Sequence, residues 1–173
     1  GVSPTLTATT ASVGGFAADS FQAAVNADAS VQKLVVLVPG VTAVEGSTTT
    51  GISGTPTART AGVDFVVTVR AVDNYYNQVV ANNPAVSFGV ANDTYSTLPG
   101  AVGLSGGSEV QTFNLKTATT VHIQATAPGF TTGVSTTVTV GPAALSRLHV
   151  TLPGETYVPA LGPYDGTAGK TGT

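Results

Sequence analysis

The stretch VDFVVTVRAV, residues 63–72, decides the fold class. Phe65, Val67, Val69 and Ala71 fall on one side of a two-residue period, and Asp64, Val66, Thr68 and Arg70 on the other. A helix would need apolar side chains at three- and four-residue spacing, so period two marks a strand with one face turned to a core. The same reading extends along the chain. TVHIQATA (120–127) puts Val121, Ile123 and Ala125 inward and His122, Gln124 and Thr126 outward. VSTTVTV (134–140) is expected to do likewise with Val134, Thr136, Val138 and Val140. AVSFGV (85–90) and VQTFNL (110–115) read as two further strands. Asn-Asn-Pro at 82–84, Pro-Gly at 99–100, Gly-Gly at 106–107 and Pro-Gly at 128–129 punctuate them.

About seven short strands with a turn signal every 8 to 12 residues predict an all-β chain with an immunoglobulin-like β-sandwich of Greek-key connections. Its expected core is Val36, Phe65, Val67, Val69, Phe88, Leu98, Phe113, Leu115, Val121, Ile123 and Val138.

Composition agrees. Apolar residues make up 42% of the chain and charged ones only 9%, against roughly 25% charged in an average soluble domain. Thr, Val, Ala and Gly dominate, which favours strands. Six Lys and Arg in 173 residues, with a net charge of −3, leave too little positive charge to hold a phosphate backbone, so nucleic acid is not an expected partner. No apolar run approaches the roughly 18 residues of a membrane helix. Cysteine is absent, which excludes disulfides and thiolate metal sites. A positive mean hydropathy of +0.28 suits a surface that meets a neighbouring module.

An internal repeat sets the domain organisation. VQKLVVLVPG (31–40) and SRLHVTLPGE (146–155) align with Lys33 on Arg147, a spacing of 114 residues, bringing Leu34 onto Leu148, Val36 onto Val150, Pro39 onto Pro153 and Gly40 onto Gly154. GISGT (51–55) aligns with GKTGT (169–173) after a four-residue gap, and LTATTASVGGF (6–16) more weakly with IQATAPGF (123–130). A fixed period of this kind marks tandem units. The expected division is 1–32 as the last strands of one repeat, 33–145 as a complete sandwich, and 146–173 as the first strand and linker of the next. Within 16–30, alanine-rich and with Asp19 able to cap a helix, the repeat alignment favours a strand with Phe21, Ala23 and Val25 on one face.

The run TAGVDFVVTVRAVDNYYNQVV (60–80) resembles a segment of bacterial Ig-like repeats found in very long, secreted surface proteins. TGISGTPTARTAG (50–62), STLPGAVGLSGGSEVQTFNLKTA (96–118) and the closing GKTGT resemble other parts of that repeat, and Tyr75-Tyr76 and VANDTYSTLP depart from it. The resemblance implies an extracellular, cell-surface location and a structural or adhesive role in a fibre, stalk or surface layer. Copies of the chain or adjacent repeats would be the partners. The alternative is an adhesive or carbohydrate-binding module whose glycan or cell-surface ligand meets the Tyr75-Tyr76 loop.

Candidate chemistry is sparse. His122 and His149 stand at outward strand positions and in no catalytic motif, so no enzyme is expected. Asp73, Asn77 and Asp93 are hard oxygen ligands on two predicted loops and could hold calcium, the one cofactor considered, if the loops converge. The competing reading is that Asp and Asn bond their own backbone in turns. Tyr75 and Tyr76 are candidates for an interface, a ligand contact or a plug of the core, and Tyr157 and Tyr164 for further contacts. Lys33 and Lys116 are the lysines a spontaneous Lys–Asn cross-link would draw on, although no spacing selects them. Asn92-Asp93-Thr94 is a formal glycosylation sequon. The Gly-, Thr- and Pro-rich stretch 39–62 reads as a long linker, suited to glycosylation or to lying along a neighbour.

Overall fold

The structure, a computed structural model, describes residues 5–8, 19–30, 32–163 and 168–172. All regular structure in them is β. An N-terminal hairpin is formed by β1 (Thr5–Ala8) and β2 (Asp19–Gln22). Then follow β3 (Lys33–Leu37), β4 (Val41–Ala43), β5 (Ile52–Gly54), β6 (Arg59–Thr60), β7 (Asp64–Val72), β8 (Ala85–Val90) and β9 (Val102–Gly103). The sandwich is completed by β10 (Ser108–Asn114), β11 (Thr120–Val121), β12 (Ile123–Thr126), β13 (Gly133–Val134) and β14 (Val138–Gly141). A C-terminal hairpin pairs β15 (Thr156–Tyr157) with β16 (Lys170–Thr171).

One sheet runs β10-β7-β3 and the other β13-β12-β8-β9, both antiparallel. Putting the first, second and fourth of the long strands in one sheet and the third and fifth in the other is the partition of an immunoglobulin-like sandwich. The closing strand β14 pairs antiparallel with β11 and parallel with β6.

Phe113 is fully buried between the sheets, 5.3 Å edge-on from Phe88 and 6.2 Å from Phe65. Val36, Phe65, Val67, Val69, Leu115, Val121, Ile123 and Val138 are buried around it, and Phe88 and Leu98 pack on the cluster half-buried. The inward alternation fails at one place. Val134 is exposed, while Ser135 is buried in its stead. Here β13 and β14 pair in turn with β12 and β11, and the three residues Ser135 to Thr137 stand opposite the two residues His122 and Ile123, a β-bulge. The extra residue of the bulge shifts the side-chain phase, so that Val138 and Val140 face in as expected. Ser135 Oγ accepts the Ile123 N–H (2.9 Å) and donates to Thr136 O (2.8 Å), while the Thr136 hydroxyl beside it is buried with no hydrogen-bond partner among the described residues.

Two other expectations change. The strand expected in 16–30 occupies Asp19–Gln22; residues 16–18 lie outside the described ones, residues 23–28 are irregular, and Val25 is exposed. The stretch 39–62 contains β4, β5 and β6, so most of the expected linker is a hairpin laid on the sandwich. The open edge β10 carries Glu109 and Gln111 at the core-side register positions opposite Val69 and Val67. Polar groups turned inward at an edge discourage a foreign strand from pairing there.

The register fixes two poles. Ser108 pairs with Arg70 and Asn114 with Asp64, so the two ends of β10 mark them. Residues 23–30 come in at the Arg70 pole, where Lys33 pairs with Val72 and the Asp28 N–H reaches Asp73. The chain leaves at the other pole, where Ala61 N–H bonds Gly141 O (2.9 Å) and Gly62 N–H bonds Leu115 O (2.7 Å).

Truncating Phe113 to Ala is expected to cost about 3–5 kcal/mol. Urea unfolding measures it, and a loss below about 1 kcal/mol would mean that this ring is not the centre of the core.

Candidate functional site

The predicted site residues fall at both poles. Asp73 follows β7 directly and is 2% exposed. Its Oδ1 accepts the N–H groups of Tyr75 (2.8 Å) and Asn77 (2.9 Å), and its Oδ2 accepts Asn77 Nδ2 (2.9 Å) and the Asp28 N–H (3.1 Å). Burial pushes the Asp73 carboxyl up, but the donors from Asn77, Asp28 and Tyr75 together outweigh it and hold the group below its ordinary value. Asp93 is the corresponding hub at the other pole. Its Oδ2 accepts the Lys116 N–H (2.7 Å) and Thr117 N–H (3.2 Å), and its Oδ1 accepts Thr117 Oγ1 (2.9 Å) and the Tyr95 N–H (3.3 Å). The structure therefore brings Asp73 and Asn77 together and sets Asp93 at the far end of β10, roughly 20 Å away by strand rise. The loops do not converge, and the three residues cannot share one ion. Both carboxylates are occupied by backbone and side-chain donors, which is the turn chemistry of these residue types. No cluster of three or more His, Asp or Glu side chains occurs among the described residues.

The tyrosine pair divides. Tyr75 is 57% exposed. Tyr76 takes a left-handed backbone (φ 62°) that turns its ring back over the β4–β5 hairpin, where its hydroxyl donates to Thr49 O (3.1 Å) and Lys33 Nζ lies 5.0 Å from the ring centroid. The ring rests on Gly51, where any Cβ would overlap it. Tyr76 is thus a plug over the first strand, and Tyr75 is the ring left to solvent. Lys33 and Lys116 are half-buried. Asn92 is exposed on a left-handed turn (φ 69°). His122 clasps the bulge opposite it, with Nδ1 3.0 Å from Ser135 O and Nε2 3.3 Å from Thr137 Oγ1. Tyr164 lies outside the described residues.

Tyr157 belongs to the C-terminal hairpin, and this hairpin repeats the first. Thr156 pairs with Thr171 and Tyr157 with Lys170, the register in which Thr42 pairs with Ser53 and Ala43 with Ile52. Val158 N–H bonds Gly169 O (2.7 Å) as Val44 N–H bonds Gly51 O (2.8 Å). Gly172 (φ 94°) lies against Gly154 O as Gly54 (φ 99°) lies against Gly40 O, and no side chain fits at either place. At the N-terminus, Thr7 pairs with Ser20 and Ala8 with Asp19, as Gln124 pairs with Val134 and Ala125 with Gly133.

The two copies differ in chemistry. Glu155 and Lys170 stand where the first hairpin has Val41 and Ile52, and they form a 2.7 Å ion pair. Glu155 also accepts the Leu152 N–H (2.8 Å), and this bond, with Lys170 and the nearby His149, holds its carboxyl below the ordinary value. Tyr157, 60% exposed, tilts against His149 at 5.6 Å. Between this hairpin and the sandwich pole runs an open groove of about 600 Å³, lined by Gly62, Asn114, Lys116, Pro142, Tyr157 and Pro159 among others. Sequence reasoning missed this seam, although the substitution of Val41 and Ile52 by an acid and a base was legible in the alignment.

No family model matches the chain, and no curated protein matches it. Among solved structures it is similar to two glycosyl hydrolase family 2 members from Bacteroides cellulosilyticus. Each has a TM-score of 0.44 and 12% identity, with 72% and 71% of this chain aligned to 15% and 16% of theirs. A β-glucuronidase from Parabacteroides merdae matches at a TM-score of 0.41 and 12% identity, over 71% of this chain and 14% of that one. The chain spans about a sixth of the length of these enzymes.

Three outcomes follow from this geometry. Asp73→Ala strands three N–H donors and is expected to cost about 2–4 kcal/mol in urea unfolding. Tyr75→Ala should stay within about 0.5 kcal/mol of the parent, while Tyr76→Ala costs about 1–3 kcal/mol; equal effects would contradict the division of the pair. Glu155 has a lowered folded pKa, so its contribution is complete above the ordinary value of 4.5 and is lost as pH falls below that toward the folded value. Acidification through that window should therefore speed amide exchange at Val158 more than at Val44, whose hairpin lacks the ion pair. Parallel behaviour of the two amides, referenced to intrinsic rates, would exclude a role for Glu155.

Proposed function

We propose that this chain is a structural repeat of an extracellular fibre, stalk or surface layer, acting by head-to-tail packing of sandwiches and by strand and linker contacts between units. The observation that carries the reading is that the chain comes in at one pole of the sandwich and leaves at the opposite one, with a hairpin of repeat register beyond each. Opposite poles string successive repeats into a line. The partners in this reading are adjacent repeats. A carbohydrate-directed role draws support from Tyr75 alone, because Tyr76 is turned inward and a two-ring platform is missing.

Small-angle scattering tests the linear reading on a chain extended by appending a second copy of residues 56–145 after Thr173. The maximum dimension should grow by about 30 Å, the rise of a nine-residue strand such as β7. Growth no larger than that of a compact globule of the added mass would sink it.

A further inference from the structure

By the division between residues 32 and 33, Asp28 belongs to one repeat and Asp73 to the next. The hydrogen bond from the Asp28 N–H to Asp73 Oδ2 (3.1 Å) therefore crosses the joint between two repeats. Among the described residues, no other hydrogen bond from 23–30 reaches the sandwich. Both partners are held ready for it. The N–H groups of Tyr75 and Asn77 fix Asp73 Oδ1, and Asn77 Nδ2 fixes Oδ2, so three of the four bonds to this carboxylate come from its own loop and only the fourth from the linker. On the linker, Asp28 Oδ1 accepts the Ser30 N–H (2.9 Å) and Ser30 Oγ (2.7 Å), the turn by which Asp closes on the backbone two residues ahead. Packing adds little beside the bond, since Asn26, Ala27 and Ala29 line an open cleft of about 210 Å³ together with Gln78 to Ala81. A hydrogen bond to an ionised group is roughly twice as strong as a neutral one, so this single contact dominates the joint.

The joint that follows the sandwich is built differently. The 114-residue register holds on both sides of the linker, with Ser20 on Val134 and Lys33 on Arg147, so no gap intervenes. It sets Asp28 on Pro142 and Ser30 on Ala144. Proline has no N–H to donate, and Pro142 and Ala144 bring neither the carboxylate nor the hydroxyl of the Asp28–Ser30 turn. Donor and turn are both missing at 142–144, and this follows from residue identity alone, whatever comes after Thr173.

We propose that Asp73 is the positioning residue between repeats, fixing the sandwich to the preceding repeat through the N–H of linker residue 28, and that the joint at 142 lacks this bond and turns more widely. The loop Asp73–Asn77 is then a receptor for the linker of an adjacent repeat, and the residue at the position of Asp28 decides whether a joint is stiff. The inference rests on the reading of the chain as a repeat of an array and gives that array joints of unequal stiffness.

Backbone amide order parameters from nitrogen-15 relaxation test it, first in the 173-residue chain. Asp28→Pro removes the donor and should lower the order parameters of Ala27 and Ala29 from about 0.85 to below about 0.6, the change from rigid to flexible backbone. Asp28→Ala keeps the N–H and should leave both near the parent value. In each variant the amides of Leu34 to Val38 report that the sandwich is folded. In the extended chain described above, Ala143 and Ala144 should lie below about 0.6 with both sandwiches folded, and Pro142→Asp combined with Ala144→Ser should raise them to about 0.85. Equal order at Ala27 and Ala29 in the two Asp28 variants, whether high or low, overturns the proposal, because the N–H then fixes nothing. Ala143 and Ala144 as rigid as Ala27 and Ala29 in the unsubstituted extended chain overturn the unequal joints. An appended stretch that does not fold, or a compact particle in scattering, refutes the array and the unequal joints with it. The Asp28 variants of the 173-residue chain would still show Asp73 to be the anchor of the linker.

Discussion

The sandwich depends on the antiparallel pairing of β3 with β7. That pairing completes one sheet, sets Leu34 opposite Ala71 and Val36 opposite Val69, and fixes where the preceding chain comes in. The molecule contains its own control. The second copy of the strand has no β7 beside it, and its apolar residues lie open despite the same spacing and the same Pro-Gly stop. An alternating strand with one apolar face cannot bury that face alone, because a strand satisfies neither its backbone groups nor its side chains without neighbours. The hairpin that follows does form, since its pairing is local and its tight glycine contact needs nothing outside it.

Two buried carboxylates govern the poles. Asp73 ties the incoming chain, the loop of Tyr75 to Asn77 and the end of β7 into one unit, and Asp93 ties the turn after β8 to the backbone after β10. Each is buried and accepts four hydrogen bonds, a requirement for a charge removed from water. The chemical contrast between the hairpins, Val41 and Ile52 in one and Glu155 and Lys170 in the other, gives the second hairpin an acid-sensitive pair that the first lacks.

The sequence by itself determined the long strands, the two-layer class, the centre of the core and the 114-residue register, because period two and turn punctuation are local properties of the chain; it read β4 to β6 as linker and did not single out Val35, Leu37, Val41, Val86 or Leu104, which are buried with that centre. The hairpin register of the repeat could be aligned before any coordinates, since glycines with positive φ leave a mark at fixed positions. What only the tertiary structure decided were facts about neighbours distant in the chain. The inward phase of VSTTVTV broke at Ser135 because a bulge sets three residues opposite two there, and alternation carries no signal of such an insertion. Asp73 and Asp93 look alike in sequence, yet the length of β10 separates them, and strand order alone sets that distance. Tyr75 and Tyr76 are adjacent, and one left-handed residue sends them to opposite environments. Burial is a property of the partner as much as of the residue, which is why Leu34 and Leu148 share a pattern and differ in exposure.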